Sequence, residues 1–451
     1  MNRLVVLGAG ESGLGAAMLA KREGYAVFVS DGGPIGEARK AQLQAAGIEF
    51  EEGKHNEGRI LDADLIIKSP GISPTVSIVQ QAISRGISVV DELEFASRYS
   101  KGKVIAITGT NGKTTTTLLT YHLLKEAGWD VGLAGNVGKS WAGQLVEQDR
   151  AWWVIEISSF QIDGLVHLKP HIALLTNITP DHLDRYNYQM ERYIDSKMAL
   201  FKNMTQANAA ILNLEDPFSK TGLDRAAIQA SKYEISLDKS PGQGGFSDGE
   251  VLVFQVAGVQ ATISVAALTI QGKHNLLNAL GAGVAALLAG ISQNQLLSGY
   301  QSFKNAAHRM EQVRVLDGVR YINDSKGTNV EATFYALGSF KEPIVWIAGG
   351  VDKGNDYTVL IPLVKGGKVK TLICLGKDNE KLKTVFGPHI GQILETQDLH
   401  EAVVWAQEIA EVQEVVLLSP ACASFDLFKN YEDRGEQFKV AVTGLPQKQS
   451  A

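Results

Sequence analysis

The sequence is poor in the features that mark secreted and membrane proteins. Its 451 residues include 2 cysteines, Cys374 and Cys422, which are too few for a disulfide framework or a cysteine-based metal cluster. The longest nearly apolar run, LLNALGAGVAALLAG, is shorter than the roughly 20 residues that cross a bilayer, so it predicts a buried helix. The opening MNRLVVLG lacks the apolar core of a signal peptide. We therefore expect a cytoplasmic protein.

An excess of positive charge is also absent. Lysine and arginine number 43 against 49 acidic residues, and the net charge of -6 gives no reason to expect a nucleic-acid partner. The 45% hydrophobic and 20% charged content is typical of a folded globular chain, and its length indicates about three domains. Any phosphate binding must come from local motifs.

Strand-like and helix-like segments alternate along most of the chain, which predicts an α/β fold with parallel sheets. The alternation starts at RLVVLG, starts again at KVIAITGT, and starts a third time at RVLDGVRYIND. The predicted domains are 1–93, 94–304 and 305–451. Because the stretch SLDKSPGQGGFSDGE is rich in glycine, serine and aspartate, we expect a loop there on the middle domain.

The first glycine-rich motif is LGAGESGLG, in which Gly8, Gly10 and Gly13 form a complete G-x-G-x-x-G. It follows a predicted strand and opens a predicted helix, and Asp31 ends the next strand, which is the fingerprint of a Rossmann-like dinucleotide site. The pattern fits a nicotinamide or flavin enzyme. It equally fits another phosphorylated nucleotide, because the glycine turn and the helix N-terminus hold the phosphate in either case.

The second glycine-rich motif, VIAITGTNGKTTTTLL, predicts an ATP-binding phosphate loop. Gly109 and Gly112 let backbone N–H groups face a phosphate, Lys113 extends toward the β- and γ-phosphates, and the Thr114 hydroxyl is a ligand for Mg²⁺. Ile107 stands where the general P-loop pattern has glycine. The strand before the loop and the helix after it still favour ATP over a plain turn.

Three further residues have chemistry that a folded core does not require. Glu156 ends an apolar strand, where a carboxylate needs a cation or donors. His182 follows another strand in NITPDHLDRY, at the edge of the sheet where α/β proteins bind ligands. Lys197 lies on the apolar face of a predicted helix, so its amine either snorkels to solvent or has a lowered pKa. A neutral amine could react with carbon dioxide to form a metal-binding carbamate.

Taken in order, GTNGKTT, EISSFQ, NITPDHLDRY, GKHNLLN, NDSKGTN and SPACASFDLFKNYEDRG resemble the motifs of the Mur ligase family. These are ATP-dependent amide-forming enzymes of peptidoglycan precursor assembly, and so of cell wall growth, cell shape and division. The resemblance spans all three predicted domains, and it is greatest to the members that add D-glutamate to UDP-N-acetylmuramoyl-L-alanine. It implies a Rossmann-like UDP-binding domain, a central P-loop ATPase-like domain, and a Rossmann-like C-terminal domain that closes on ATP.

The resemblance also implies the site residues. The ATP set is Gly109, Thr110, Asn111, Gly112, Lys113, Thr114, Thr115, Asn275, Arg309, Asp324 and Lys326. The UDP-substrate set is Glu11, Ser12, Gly32, Gly33, Ser69, Asn136, Gln161 and His182. The D-glutamate set is Thr328, Lys353, Ser424 and Tyr431. The catalytic set is Lys113, Glu156, His182 and Lys197, and two Mg²⁺ ions are expected on Thr114, Glu156, His182 and carbamylated Lys197.

Several alternatives remain at this point. Another Mur ligase or a folylpolyglutamate synthetase would use the same phosphate loop, although the Asp-Asn-Pro-Arg signature of the diaminopimelate-adding ligase is absent. A nucleotide sensor would leave the acid, histidine and lysine unused, and an NAD(P) oxidoreductase would leave the second domain unused. In GGVDKG, Val351 stands where we associate an acid with the family, so a role for Asp352 is open. The family resemblance implies a monomer.

Overall fold

The computed structural model describes residues 2–213, 215–270, 272–352 and 354–447. The chain forms two compact units, one of residues up to Thr269 with Asn275–Phe303, and one of Ile270–His274 with residues from Lys304 onward. Within the described ranges the strands form three sheets, two in the first unit and one in the second. The α/β architecture with mainly parallel sheets is confirmed, whereas the three domain boundaries remain a prediction.

The first sheet is parallel and lies between two layers of helices. Its strands are β1 Arg3–Leu7, β2 Ala26–Asp31, β3 Glu49–Glu52, β4 Leu65–Lys68 and β5 Ser88–Val90. Its helices are α1 Glu11–Arg22, α2 Glu37–Ala45, α3 Glu57–Ile60, α4 Ser77–Ser84 and α5 Glu92–Ser97. The order is β3-β2-β1-β4-β5, as in a Rossmann-like fold. Successive residues of β1 enter different cores, so both faces of the sheet are buried.

The second sheet is larger and mixed. Its strands are β6 Lys103–Thr108, β7 Val131–Gly135, β8 Trp152–Glu156, β9 Ile172–Leu175, β10 Ala209–Asn213, β11 Ser231–Ser236, β12 Gly244–Ser247, β13 Val251–Val256 and β14 Val259–Ser264. Its helices are α6 Lys113–Glu126, α7 Trp141–Glu147, α8 Ser159–Ile162, α9 Met190–Met198, α10 Pro217–Arg225, α11 Lys273–Ala289 and α12 Gln293–Ser302. The order is β14-β13-β12-β11-β10-β9-β6-β8-β7. The pairs from β7 to β12 are parallel, and β13 and β14 add antiparallel pairs.

The glycine-rich stretch after Ser236 is where the sequence prediction was wrong, because it contains β12 as well as a loop. Gly244 has a φ of 131°, and a Cβ there would lie 1.9 Å from the carbonyl oxygen of Glu234. The strand therefore forms through backbone pairing to β11 and β13 at a distance that only glycine allows. Composition alone indicated a turn because glycine and serine carry no apolar alternation, and the strand is defined by its backbone pairing to the adjacent strands.

The third sheet belongs to the second unit. Its strands are β15 Glu311–Leu316, β16 Val319–Asn323, β17 Ile344–Ala348, β18 Val369–Leu375, β19 Gln392–Thr396 and β20 Val415–Leu418. Its helices are α13 Val330–Gly338, α14 Ile361–Val364, α15 Glu380–Phe386, α16 Leu399–Ile409 and α17 Tyr431–Gly444. The order is β15-β16-β20-β17-β18-β19, parallel except for the β15–β16 hairpin. The order β19-β18-β17-β20 repeats the β3-β2-β1-β4 order of the first sheet, and β16 and β15 extend the sheet beyond β20.

The apolar run near residue 280 forms α11, as predicted, and its small side chains are almost all buried. In the part of the chain that the structure describes, no helix is both long enough and apolar enough to span a membrane. The apolar run therefore forms part of the hydrophobic core of the first unit.

A buried carboxylate joins the first and second sheets of the first unit. Glu94 lies in α5 with no solvent exposure. Its Oε2 accepts hydrogen bonds from the consecutive backbone amides of Val166, His167 and Leu168, at 3.0, 2.9 and 2.9 Å. Arg98 is a weaker partner, 3.8 Å from Oε1 and partly exposed. Because one buried oxygen accepts from three consecutive amides, this carboxylate fixes the segment that precedes β9.

We predict that Glu94→Ala lowers the free energy of unfolding of the first unit by about 3 kcal/mol, since it removes the shared acceptor of three backbone amides, of which the Leu168 amide is buried. Urea unfolding followed by tryptophan fluorescence measures the loss. Arg98→Ala is the matched control and should cost less than about 1 kcal/mol, as an exposed ion-pair partner does. Equal losses in the two variants would show that the ion pair, and not the amide contacts, stabilises this segment.

Candidate active site

The phosphate loop connects β6 to α6 and is built from glycines in conformations that other residues avoid. Gly109 has a φ of 146° and Gly112 a φ of 78°. A Cβ at Gly109 would lie 1.9 Å from Oγ1 of Thr176, and one at Gly112 would lie 2.3 Å from Oδ1 of Asn278. Both glycines are therefore needed for backbone conformation and for close packing at once.

The residues that follow β9 hold this loop in place. The backbone N–H of Asn111 donates to Oδ1 of Asn177 at 2.9 Å, and the N–H of Thr110 donates to the Asn177 carbonyl at 2.9 Å. The Thr176 hydroxyl donates to the Asn111 carbonyl at 2.6 Å. Lys113 begins α6 and donates from Nζ to the Thr110 carbonyl at 2.6 Å. The loop is thus preorganised at a helix N-terminus, which is a favourable place for a phosphate.

Glu156 lies at the end of β8, as predicted, and is 1% exposed. Its Oε1 accepts a hydrogen bond from Nδ2 of Asn136 at 2.8 Å. Within the described residues its Oε2 is buried and has no hydrogen-bond partner. A buried carboxylate oxygen without a donor is costly, so this atom has unused capacity for a cation or a ligand donor.

Lys197 lies near the end of α9 and is 1% exposed. Its Nζ donates to the Gly109 carbonyl at 2.8 Å and lies 4.6 Å from the centroid of the Tyr193 ring. Burial, together with the nearby positive charge of Lys113, lowers the pKa of the Lys197 amine well below its usual value. The snorkelling alternative is wrong, because the amine points into the protein.

A cavity of about 250 Å³ in the first unit is lined by Lys113 and Lys197 and by Asn136, the hydrogen-bond partner of Glu156. Its lining residues are Pro70, Gly71, Lys113, Asn136, Ser158, Ser159, Phe160, Asp181, His182, Tyr193 and Lys197. Lys113, Asn136, His182 and Lys197 were predicted site residues. The chemistry-bearing side chains from the ends of β7, β8 and β9 therefore do converge, as the parallel sheet requires.

Sequence reasoning missed several of the lining residues, above all Phe160 and Asp181. The Phe160 ring lies 5.2 Å from the His182 ring and 4.3 Å from the Arg185 guanidinium, measured to centroids. Asp181 Oδ2 lies 3.6 Å from Nε2 of His182. His182 itself has a φ of 52°, which turns the chain sharply after β9. Both residues lie inside quoted motifs, Asp181 in NITPDHLDRY and Phe160 in EISSFQ, so their motif positions were a usable signal.

The residues predicted for the UDP-linked substrate gather mostly around the first glycine motif. Glu11 and Ser12 open α1, and the Ser69 hydroxyl donates to the Gly8 carbonyl at 3.3 Å. Asp31 accepts from the backbone amides of Ala9 at 2.6 Å and Gly33 at 2.9 Å. Asp31 therefore shapes the turn that contains Gly32.

Gln161 is the predicted substrate residue with a clear structural task. Its Oε1 accepts from the backbone N–H and the hydroxyl of Ser158, both at 3.0 Å, which caps α8. Gln161 is buried and is not among the residues that line the cavity. A contact with substrate remains a prediction for this residue.

Asn275 and Asn278 of α11 and Thr116 of α6 form a hydrogen-bonded group in the first unit, next to Gly112 of the phosphate loop. Asn278 donates from Nδ2 to Oδ1 of Asn275 at 3.0 Å and accepts from the Thr116 hydroxyl at 3.1 Å. Thr115 is buried inside α6. The pairing of the two asparagines on a helix face is thus observed, and the nucleotide role of Asn275 and Thr115 remains a prediction.

In the second unit, several predicted residues lie near the end of β16. Asp324 is buried, and it accepts from the Ser419 hydroxyl at 2.9 Å and the Met310 amide at 3.2 Å. Burial raises the pKa of the Asp324 carboxyl to about 7. The Lys326 ammonium lies 3.6 Å from the centroid of the Tyr431 ring. The nucleotide and D-glutamate sets therefore adjoin each other here.

The remaining residues of these sets have simpler surroundings. Arg309 is partly exposed, the Thr328 amide donates to the Lys326 carbonyl at 2.8 Å, and Ser424 is buried. Lys353 lies outside the described residues. Asp352 Oδ1 accepts from the amides of Gly354 and Asn355 at 2.6 and 3.0 Å, so it stabilises the turn there.

Comparisons with known proteins match the chain along most of its length. Residues 3–78 match the MurD N-terminal domain, 107–286 the Mur ligase middle domain, and 308–422 the Mur ligase glutamate ligase domain. The chain is 47% identical to the UDP-N-acetylmuramoylalanine–D-glutamate ligase of Christiangramia forsetii, over 98% of this chain and 99% of that one. It is 46% identical to the ligase of the same name from Bacteroides fragilis, over 99% and 100%.

The chain belongs to the Mur ligase family. As a Mur ligase it uses ATP as a co-substrate, in agreement with the phosphate loop. The nucleotide-sensor and oxidoreductase alternatives find no support in these matches. The first glycine motif of this Mur ligase is therefore not evidence for a nicotinamide cofactor.

Solved structures confirm the Mur ligase fold. The UDP-N-acetylmuramate–alanine ligase of Thermotoga maritima has a TM-score of 0.61 and 18% identity, over 98% of this chain and 99% of that one. The pseudomurein peptide ligase type C of Methanothermus fervidus also has a TM-score of 0.61 and 18% identity, over 93% and 97%. At such identities the likeness establishes the three-domain architecture alone.

We predict that Gly112→Ala weakens ATP binding by at least about tenfold, because the new Cβ would strike Asn278 and displace the phosphate loop. Calorimetric titration with ATP and Mg²⁺ measures this.

Gly128 provides the matched control, since it follows the same helix with a φ of 86° and has open space around its Cβ position. Gly128→Ala should cost about 1 to 2 kcal/mol of stability through backbone strain and leave ATP affinity unchanged. Unchanged ATP binding in Gly112→Ala would contradict the assigned loop.

Proposed function

We propose that this Mur ligase joins D-glutamate to UDP-N-acetylmuramoyl-L-alanine in peptidoglycan precursor synthesis, at the expense of ATP. The observation that carries the proposal is the identity of 45 to 47% to ligases of that name over at least 98% of the chain. The preorganised phosphate loop beside the cavity supports it. We also propose, from cysteine usage and family resemblance, a cytoplasmic monomer.

The reaction needs activation because a carboxylate is a poor acyl donor. The terminal carboxylate oxygen of the muramoyl substrate bonds to the γ-phosphorus of ATP, the bond from that phosphorus to the β–γ bridging oxygen breaks, and ADP leaves. The amine nitrogen of D-glutamate then bonds to the acyl carbon and loses a proton, and inorganic phosphate leaves. Positioning and neutralisation of phosphate charge are therefore the main tasks of the protein.

Lys113 and the amides of the phosphate loop would hold the triphosphate, and Thr114 and Glu156 would hold Mg²⁺. The donor set fits the ion because Oε2 of Glu156 is buried without a hydrogen-bond partner in the described chain. The described residues contain no group of three or more His, Cys, Asp or Glu side chains arranged for a metal. That is compatible with Mg²⁺, which keeps several waters and phosphate oxygens as ligands. Bound Mg²⁺ supplies neutralisation of phosphate charge.

Lys197 would complete a second Mg²⁺ site with His182 after carbamylation. The neutral amine nitrogen bonds to the carbon of carbon dioxide and releases one proton, which leaves a carbamate anion with two oxygens. The lowered pKa of the buried amine favours this reaction, because only the neutral form is nucleophilic. The carbamate converts a buried basic group into oxygen ligands, the kind that Mg²⁺ prefers.

The other assignments divide by unit. In the first unit, Glu11, Ser12, Gly32, Gly33, Ser69, Asn136, Gln161 and His182 would contact the UDP-linked substrate. In the second unit, Arg309, Asp324 and Lys326 would serve the nucleotide, and Thr328, Lys353, Ser424 and Tyr431 would bind D-glutamate. The grouping of Asp324, Lys326 and Tyr431 around the end of β16 supports adjoining nucleotide and amino-acid sites.

We predict that phosphate release from ATP requires both UDP-N-acetylmuramoyl-L-alanine and D-glutamate, because the acyl phosphate forms on the first and is consumed by the second. A phosphate-release assay with a panel of amino acids measures this, and reactions without the muramoyl nucleotide are the control. Equal or faster turnover with L-lysine, diaminopimelate or L-glutamate would contradict the proposed specificity.

We predict that Lys197→Ala nearly abolishes activity and that acetate, formate or propionate restores part of it, because a small carboxylate can occupy the place of the carbamate. The matched control is Lys202→Ala, in which an exposed lysine just beyond the same helix is removed. That variant should keep its activity and gain nothing from carboxylic acids.

A direct readout is ¹³C NMR of protein equilibrated with ¹³C-bicarbonate. A carbamate resonance is expected in the unaltered protein and not in Lys197→Ala. Full activity of Lys197→Ala, or an identical ¹³C spectrum, would show that Lys197 is a structural amine that supports Gly109.

A further inference from the structure

A polar cluster outside the cavity joins the carboxyl ends of β2 and β3 in the first sheet. Ser30 is fully buried, and its hydroxyl lies 2.7 Å from Oε1 of Glu51 and 2.7 Å from Nδ1 of His55. Glu51 Oε1 also accepts from the Asn56 amide at 2.7 Å. His55 is exposed, and the Nδ1 edge of its ring is held by the buried Ser30 hydroxyl.

The cluster determines which ring nitrogen of His55 carries the proton. A serine hydroxyl has one proton, and an ionised carboxylate accepts hydrogen bonds but donates none. Since the Ser30 proton goes to Glu51, the Ser30 oxygen must accept from Nδ1–H of His55. In the neutral ring Nε2 then has no proton and is a hydrogen-bond acceptor.

The accepting nitrogen lies at the turn that follows β2. A Cβ on Gly32 would be 3.1 Å from Nε2 of His55, closer than side chains normally pack. The Gly53 amide donates to the Gly33 carbonyl at 3.1 Å, which holds the turns after β2 and β3 together. Gly32 therefore leaves room for the imidazole, and the imidazole occupies the space that a side chain of the turn would fill.

In a Rossmann-like sheet the nucleoside lies at the carboxyl ends of the central strand and its neighbour, here β1 and β2. The Asp31 carboxylate is already engaged by the amides of Ala9 and Gly33. Nε2 of His55 is a hydrogen-bond acceptor at the carboxyl end of β2, and the Ser30 contact fixes the tautomer of the ring. Uracil presents an N3–H donor on its Watson–Crick edge, whereas N3 of cytosine is an acceptor.

We propose that His55 recognises the nucleobase of the UDP-linked substrate, with Nε2 accepting a hydrogen bond from N3–H of uracil and the Glu51–Ser30 pair setting the tautomer. The proposal rests on the proposed function, which places UDP at the first sheet. A site whose acceptor is placed for the N3–H donor of uracil binds a base without that donor more weakly. His55 would therefore give specificity for uracil over cytosine.

Calorimetric titration with UDP, CDP and 3-methyl-UDP tests the proposal. The unaltered protein should bind UDP at least about tenfold tighter than the other two, the size of one hydrogen bond. His55→Phe, which keeps a planar ring over Gly32, should bind all three within about threefold. The KM for the muramoyl nucleotide should rise about tenfold, with kcat and the KM values for ATP and D-glutamate unchanged.

Two further variants separate recognition from folding. Ser30→Ala removes the hydroxyl that fixes the His55 tautomer but keeps the imidazole. This variant should lose part of the preference for UDP over CDP. Glu57→Gln, an exposed change in the same segment, should alter nothing. If His55→Phe weakens UDP and CDP equally, or changes neither, the proposal is overturned. If the unaltered protein neither binds UDP nor turns over the muramoyl nucleotide, the proposed function itself fails.

Discussion

The burial of the Lys197 amine against the Gly109 carbonyl is the constraint around which the candidate active site is arranged. A charged ammonium is costly in the interior, so the amine is driven toward its neutral form. The same glycine must lack a Cβ so that Thr176 can approach the phosphate loop. Gly109 therefore contacts both the Lys197 amine and Thr176, which holds the phosphate loop. A shift of α9 would change the position of the amine and the shape of the loop together.

Helix α9 is in turn held by a second polar network. Asp163 accepts from the Ser196 hydroxyl at 2.6 Å and from the Tyr186 hydroxyl at 3.0 Å, and the rings of Tyr186 and Tyr193 lie 5.3 Å apart. These contacts connect the residue before Lys197 to the end of α8 and to the turn that contains His182. The lysine and the histidine thus share one support, which explains how two residues from separate segments keep a common geometry.

Much of this was predictable because it depends on local pattern. Apolar runs followed by glycine loops gave the parallel strands, and helical spacing placed Lys197 on the apolar face of α9. The errors and omissions concern contacts that neither an apolar pattern nor a glycine pattern reveals. The strand at Gly244 depends on the Glu234 backbone, and the capping role of Gln161 depends on how α8 begins. Phe160 lies inside the EISSFQ motif, but only the fold reveals its contact with His182. His55 lies in no quoted motif, and its contact with Ser30 depends on the pairing of β2 with β3.

Three carboxylates at the carboxyl ends of parallel strands show why position alone does not identify a ligand-binding residue. Asp31 at the end of β2 has both oxygens engaged by backbone amides, so it shapes a turn. Asp324 after β16 accepts from Ser419 and Met310, and burial raises its pKa to about 7. Glu156 at the end of β8 keeps an oxygen without a hydrogen-bond partner in the described chain. Unused acceptor capacity alone does not identify a ligand site, since Oε1 of the structural Glu94 also lacks a hydrogen-bond partner in the described chain. Glu156 differs from Glu94 because its partner Asn136 lines the cavity.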